Sequence, residues 1–371
     1  MKRPTAPRRA AVLSALTSLA VALAGCTSSP APTPTDASSP ASVTSSSTTT
    51  STSSHASPPV VTADGVDPKA WTAVDASARR AGGTVALVAA VVSSSGQVRV
   101  VHRTGSTDLR PIASVAKLYV MVALLDALRD GKLTWADRIS IRPEDISAGS
   151  GSLAGRDAAA TVSVQEAARL MFQESDNTAT SALVRVLGQP AMQAALRESG
   201  HSAPDRMTPF LTVREDLWLL YSAGAAAARA QWAKATPARR AQLIAPARTS
   251  PASFDGPAAW RSGLGYVASA EDLARAWAVI ADRVRTLDSD VASSVMTVPS
   301  PGFTRPAGWS TVWFKSGALD NVRAGTWFAP GRSRSSNSQV VVVLAADGPA
   351  ESGVASLGTS AAAELDRYAT R

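Results

Sequence analysis

Three short motifs, Ser114-Val-Ala-Lys117, Ser175-Asp176-Asn177 and Lys315-Ser316-Gly317, each occur once in the 371 residues, in that order. Between them they supply three serine hydroxyls, an amide and two lysines. A serine becomes a nucleophile once a neighbouring base takes its proton. A lysine can be that base when its surroundings keep it neutral, which a guanidinium cannot do. A second hydroxyl can relay the proton, and a second lysine can hold an anionic substrate. The set describes acyl transfer without histidine. Singly, each motif has a plain reading: a helix start, a polar turn or a strand end. Lysine usage raises the weight of the functional reading, because the chain has six lysines against thirty-one arginines. Five lie outside the N-terminal segment, and two of those fall in the motifs.

The elements around the motifs must hold them in place. Ser114 is expected to open a helix reaching about Asp130 and stopping at Gly131. That helix is apolar nearly all round (Val115, Leu118, Val120, Met121, Leu124, Leu125), which predicts burial on most sides. Lys117 would lie one turn on and on the same face as Ser114. Ser163-Val-Gln-Glu166 reads as a capping box for the next helix, ending near Glu174. Ser175-Asp176-Asn177 then forms a corner before a helix Thr178–Leu187 closed by Gly188. Lys315-Ser316-Gly317 falls at the end of a strand Trp309–Lys315, with Lys315 on the face of Trp309 and Trp313 and Ser316 opposite. Gly317 would let a ligand approach the backbone.

Strands are also expected at Thr84–Val92, Gln97–His102, Val322–Phe328 and Gln339–Ala345, and helices at 67–81 and 355–369. The middle, 114–290, reads as mostly helical. Strands from both chain ends with helices between predict an α/β domain. An antiparallel sheet carries flanking helices and stands beside an all-helical subdomain, with a cleft between the two.

The first residues, Met1-Lys2-Arg3 and Arg8-Arg9, precede an apolar run from Ala10 to Ala24, read as a secretory signal over 1–25. Leu23-Ala24-Gly25-Cys26 resembles a bacterial lipobox, so Cys26, the sole cysteine, is expected to be lipidated. Residues 26–62, rich in Ser, Thr, Pro and Ala, read as a disordered tether, and 63–371 as the folded domain. The expected location is outside the cell membrane, anchored by the lipid and facing the cell wall. Loss of Lys2, Arg3, Arg8 and Arg9 with the signal lowers the formal charge from +8 to +4. No basic stripe with interleaved aromatics points to nucleic acid.

This set in this order resembles the penicillin-recognising serine enzymes, closest to class A β-lactamase-like proteins. Ile112-Ala-Ser114-Val-Ala-Lys117-Leu-Tyr-Val and Ser175-Asp-Asn-Thr-Ala-Thr carry the likeness beyond the motif letters, and it spans roughly 67–371. The resemblance implies that Ser114 attacks a carbonyl carbon, Lys117 takes its proton, and Ser175 relays the proton to the leaving nitrogen. It further implies that Asn177 holds the substrate amide and Lys117, while Lys315 and Ser316 face the substrate carboxylate beside Gly317. The backbone N–H groups of Ser114 and Ala318 would form an oxyanion hole. The implied substrate is a β-lactam or a peptidoglycan-like molecule, with no cofactor. His102 and His201 are expected to be structural, since no G-x-S-x-G elbow exists. His55 falls in the tether, and no cluster has metal-ligand spacing.

The chain departs from that family after Arg197-Glu198-Ser199-Gly200. The segment His201–Pro209 reads as too short for the family's glutamate-bearing loop, and its nearest carboxylate is Asp205. Residues 222–262 read as an insertion of helices on the domain edge. Three functions stay open. The first is a serine hydrolase acting through an acyl-enzyme on Ser114. The second is a D,D-peptidase-like or β-lactam-acylated protein without efficient turnover. The third is a catalytically reduced wall-binding lipoprotein.

Overall fold

Strand alternation sorts the two faces of the central sheet. The computed structural model describes residues 57–155, 160–250, 253–287, 289–348 and 350–370. The expected signal, Cys26, His55 and the tether up to residue 56 lie outside the described residues. In chain order the strands are β1 (Val60–Thr62), β2 (Thr84–Val92), β3 (Val98–Thr104), β4 (Arg110–Pro111), β5 (Arg138–Ser140), β6 (Thr161–Ser163), β7 (Val267–Ala268), β8 (Trp313–Leu319), β9 (Val322–Ala329) and β10 (Ser338–Ala346). The α-helices are α1 (Thr72–Arg80), α2 (Lys117–Arg129), α3 (Val164–Gln173), α4 (Asn177–Glu198), α5 (Val213–Tyr221), α6 (Ala226–Trp232), α7 (Pro237–Ile244), α8 (Ala270–Leu287), α9 (Asp290–Met296) and α10 (Glu351–Ala369).

Six strands join in the order β1-β3-β2-β10-β9-β8. The two chain ends meet where β2 pairs antiparallel with β10, with Val88 opposite Val342. Leu87, Ala89, Val91, Trp327, Val341 and Val343 face one way, into a core shared with Val74 of α1 and Leu357 and Leu365 of α10. Val88, Ala90, Trp313, Phe328, Val340 and Val342 face the other way, into a larger core with α2 and α8. The expected architecture is therefore present: a sheet from both chain ends, helices on both faces and a helical region at one side. Leu118, Val120, Met121, Val122, Leu124 and Leu125 of α2 are fully buried. At about 1.5–3 kcal/mol for each large apolar side chain, this helix is a rigid mount for whatever precedes it.

Two details differ from the expectation. Residues 60–62, assigned to the tether, form β1 and pair in parallel with β3, so the sheet is mixed. Alternate apolar residues were too few there to mark a strand. The strand carrying Lys315 starts at Trp313, not Trp309. Trp309 lies in a turn, its N–H bonded to Pro306 O at 3.1 Å, and packs in the outer core. The strand instead runs on to Leu319, where the pair Leu319–Val322 closes the hairpin. Lys315 thus sits in mid-strand, on the same face as Trp313. The expected helix end at Gly188 is present: Gly188 leaves the helical region with φ 77° and ψ 163°, and α4 comprises two helical segments joined across this kink.

Candidate active site

The three motifs come from three elements and meet at one point. Ser114 lies in a 3-10 turn, Ala113–Ala116, and Lys117 is the first residue of α2. The preceding Ala113 has φ 46°. Ser175 sits at the corner between α3 and α4 with φ 53°. A non-glycine residue in this region costs about 1–3 kcal/mol, so the surroundings must hold both corners. At the second corner Asp176, fully buried, caps α4 through Ala179 N (2.7 Å) and also accepts from Leu153 N (2.9 Å). Ser150 Oγ donates to Ser175 O at 2.8 Å.

Lys117, only 2% exposed, has its Nζ within hydrogen-bond distance of four oxygens. These are Ser175 O at 2.5 Å, Asn177 Oδ1 at 2.9 Å, Ser175 Oγ at 3.0 Å and Ser114 Oγ at 3.1 Å. Asn177 Nδ2 donates to Ala148 O at 2.8 Å, which sets its Oδ1 toward the lysine. Burial, and then the nearby Lys315 cation, hold the Lys117 pKa well below the usual lysine value. A neutral amine has two N–H donors and one lone pair. The carbonyl oxygens of Ser175 and Asn177 can only accept, so they take both donors. The lone pair is left for a hydroxyl proton, from Ser114 or from Ser175.

Lys315 Nζ donates to Ser175 Oγ at 3.0 Å and to Ser316 O at 3.0 Å. Its ammonium is 2% exposed, and burial brings its pKa down to about 7. The four groups Ser114, Lys117, Ser175 and Lys315 thus form one continuous hydrogen-bonded chain. Ser316 stands half-buried on the other strand face, and Ala318 lines the cavity in front of Ser114. Gly317 brings β8 against the nucleophile turn. A Cβ there would lie 2.3 Å from Ile112 O, 3.0 Å from Ser114 N and 3.1 Å from Val115 N. Glycine at this position is a requirement of the strand's approach to Ser114.

The cavity, about 300 Å³, is lined at this end by Ser114, Lys117, Asn177 and Ala318. Its other walls were not anticipated: Phe210, Val213, Asp216, Leu217, Tyr221, Phe254 and Tyr266. They come from one excursion of the chain whose two ends are pinned together. His201 Nε2 donates to Val267 O (2.8 Å) and its Nδ1 accepts from Ala203 N (3.0 Å). β7 then pairs with β4, and Ile112 N donates to Tyr266 O at 3.1 Å, two residues before Ser114. The wall facing the nucleophile therefore draws its residues from between Phe210 and Tyr266, beyond the short segment 201–209. Asp205 is exposed and outside the cavity lining; the carboxyl in the cavity is Asp216, on α5. The insertion 222–262 carries α6 and α7 as edge helices, but it also brings Phe254 into the cleft, its ring 4.8 Å from that of Tyr221. Nothing in the sequence of α5 said which of its residues would reach a cleft.

Both histidines of the domain are structural. His201 holds the base of the excursion. His102 Nε2 is 2.8 Å from Asp75 Oδ1, and its ring stacks on Trp71 at 4.4 Å, tying β3 to α1. Among the described residues no group of three or more His, Cys, Asp or Glu is placed to hold a metal ion.

The model of the beta-lactamase enzyme family matches residues 69–290, more than half of the chain, including Ser114, Lys117, Ser175 and Asn177. The chain belongs to that family. The beta-lactamase family fold accounts for likenesses to solved structures at low identity. A beta-lactamase from Sphaerobacter thermophilus is 18% identical over 82% of this chain and 98% of its own, with a TM-score of 0.55. PBP-A is 16% identical over 84% and 97%, with a TM-score of 0.54. A beta-lactamase from Chitinophaga pinensis is 15% identical over 81% and 99%, with a TM-score of 0.52. No curated protein sequence matches the chain significantly.

Proposed function

We propose that this beta-lactamase family member is a serine acyl-transfer enzyme that opens the amide of a β-lactam or a peptidoglycan-like peptide through an acyl-enzyme on Ser114. The observation that carries this reading is the buried Lys117 Nζ at 3.1 Å from Ser114 Oγ, its pKa held well below the usual lysine value by burial and the Lys315 cation. In the forward step Ser114 Oγ bonds to the carbonyl carbon while its proton passes to Lys117. The developing oxyanion is received by the N–H groups of Ser114 and Ala318. The proton then moves from Lys117 through Ser175 Oγ to the amide nitrogen as the C–N bond breaks. Lys315, bonded to the same hydroxyl, and Ser316 attract the substrate carboxylate, and Asn177 orients both the base and the substrate amide.

One observation favours slow release of the acyl group. The cavity lining contains a single carboxyl, Asp216, and burial raises its pKa to about 8. At pH 7 about nine-tenths of it is protonated, which lowers about tenfold the share able to take a proton from a deacylating water. The reading is an enzyme that acylates readily and turns over slowly, closer to a peptidase than to an efficient lactamase. The complete proton chain argues against a scaffold that only binds. In the same reading Cys26 carries a lipid anchor and the domain works outside the membrane, facing the cell wall.

Incubation with benzylpenicillin tests the proposal by mass spectrometry. The wild type gains the whole drug on the peptide containing Ser114, Ser114→Ala gains nothing, and the adduct persists for hours. An unmodified wild type, with the drug intact in solution, rejects the acyl-transfer reading.

A further inference from the structure

The far wall of the cleft holds a polar group that the acylation chemistry leaves unused. Asp216 is 3% exposed. Its Oδ1 has no hydrogen-bond partner among the described residues, and the residue lines the same cavity as Ser114. Around it stand Phe210, Leu217, Tyr221, Phe254 and Tyr266. Phe210 and Tyr266 pack with centroids 5.3 Å apart, and Tyr221 and Phe254 with centroids 4.8 Å apart. A buried carboxyl in the lining of a cavity walled by aromatic side chains is the chemistry that recognises an organic ammonium: one charge partner and several negative ring faces.

Among the described residues the cations near this wall are engaged elsewhere, Arg323 with the carbonyls of Leu319 and Val322. On α5 itself Arg214 donates to Ala247 O and Ile146 O, and Glu215 turns to Thr212 N and Arg248. On the elements packed against α5, Arg185 is held by Asp145, Arg229 by the carbonyls of Leu219 and Ser222, and Arg261 by Asp347. Lys117 lines the opposite wall and is committed to its own network. Burial raises the hydroxyl pKa values of Tyr221 and Tyr266, so neither brings a charge. Burial likewise raises the Asp216 pKa to about 8, offset in part by the N–H of Tyr266. Burial removes solvation that the N–H of Tyr266 offsets only in part, and a bound cation would restore more of it.

Resting on the acyl-transfer reading, we propose that Asp216 and the aromatic walls form a subsite for a primary ammonium at the end of an apolar stem on the acyl side chain of the substrate. Only the ionised carboxyl pairs with the ammonium, so binding the cation expels a proton from Asp216. The preference for a cationic side chain then grows as pH rises toward about 8 and levels off above it.

Two penicillins test this, one with a 6-aminohexanoyl side chain and one with a hexanoyl side chain. The first keeps its ammonium across the whole pH range used. Their second-order acylation rates are compared by mass spectrometry at pH 6 to 9. The expected result is a preference of about tenfold or more for the ammonium probe at pH 8, equivalent to about 1.4 kcal/mol, shrinking toward pH 6. In Asp216→Asn the ratio falls to within about twofold. The pH dependence in the wild type decides the matter if that variant does not fold. Equal rates for both probes at every pH overturn the subsite and leave the acyl-transfer reading intact. Labelling by neither probe overturns both.

Discussion

The two ends of one cleft are built on opposite principles. At the nucleophile end the side chains form one network: Lys117 meets four oxygens, and Ser175 Oγ joins it to Lys315. At the far end the walls are aromatic and aliphatic, with one carboxyl whose Oδ1 is unpartnered. A satisfied buried network is rigid and has one geometry, which suits a step that must line up a proton and a bond. A dry wall with one open polar atom suits selection among side chains. Substitutions at the first end should therefore slow every substrate alike, and substitutions at the second should change which substrate is preferred.

The largest effect is expected from Lys117→Ala, which removes the base. Acylation by benzylpenicillin, followed by mass over time, should fall by about 10²–10⁴-fold, with the same factor for probes of any side chain. A factor that depends on the side chain would merge the two ends.

Gly317→Ala should come next. Its Cβ would meet Ile112 O at 2.3 Å, so β8 must move away from the nucleophile turn. Misplaced oxyanion donors cost about 10²–10³-fold. A variant that labels at the wild-type rate would show that β8 contributes no donor.

The pH profile gives a third, smaller effect. Lys315 is charged below about 7 and neutral above it because of burial. Acylation by an anionic β-lactam should therefore fall as pH rises through 7, by about tenfold per unit at most. A rate still climbing between pH 7 and 9 would mean that carboxylate binding does not depend on the Lys315 charge.

The smallest effect belongs to the far wall. Phe254 is 55% exposed and stacks on Tyr221, so Phe254→Ala should cost only about 0.5–1.5 kcal/mol of stability. Thermal melting checks this, while the ranking of substrates with different side chains should shift. An unchanged ranking would remove the insertion from the cleft.

The nucleophile end was readable in the sequence because its chemistry requires fixed residue types at fixed local spacings. Ser114 and Lys117 are three apart on one turn, and a corner before a helix is marked by Asp176 at its cap. The β-rich apolar runs of β2 and β10 likewise placed the sheet. The far wall was not readable in this way. Phe210, Asp216, Phe254 and Tyr266 are distant in sequence and gather only because His201 and Val267 close the excursion at its base. A hydrogen bond between residues 66 positions apart leaves no local pattern. Asp216 reads on its own helix as one more polar residue between Glu215 and Leu217. The extent of β8 was missed for a similar reason: its end depends on the pairing of Leu319 with Val322, not on its own residues.

The central claim is that Lys117 rests as a neutral amine with its lone pair toward Ser114. Lysine is scarce enough, six in the chain, for each ammonium to be followed by NMR in protein labelled only at lysine. With the Lys117 signal assigned by its loss in Lys117→Ala, titration of the wild type should show it neutral at pH 7 and protonated only at lower pH. A Lys117 signal that remains that of a charged ammonium through pH 9 would contradict the mechanism.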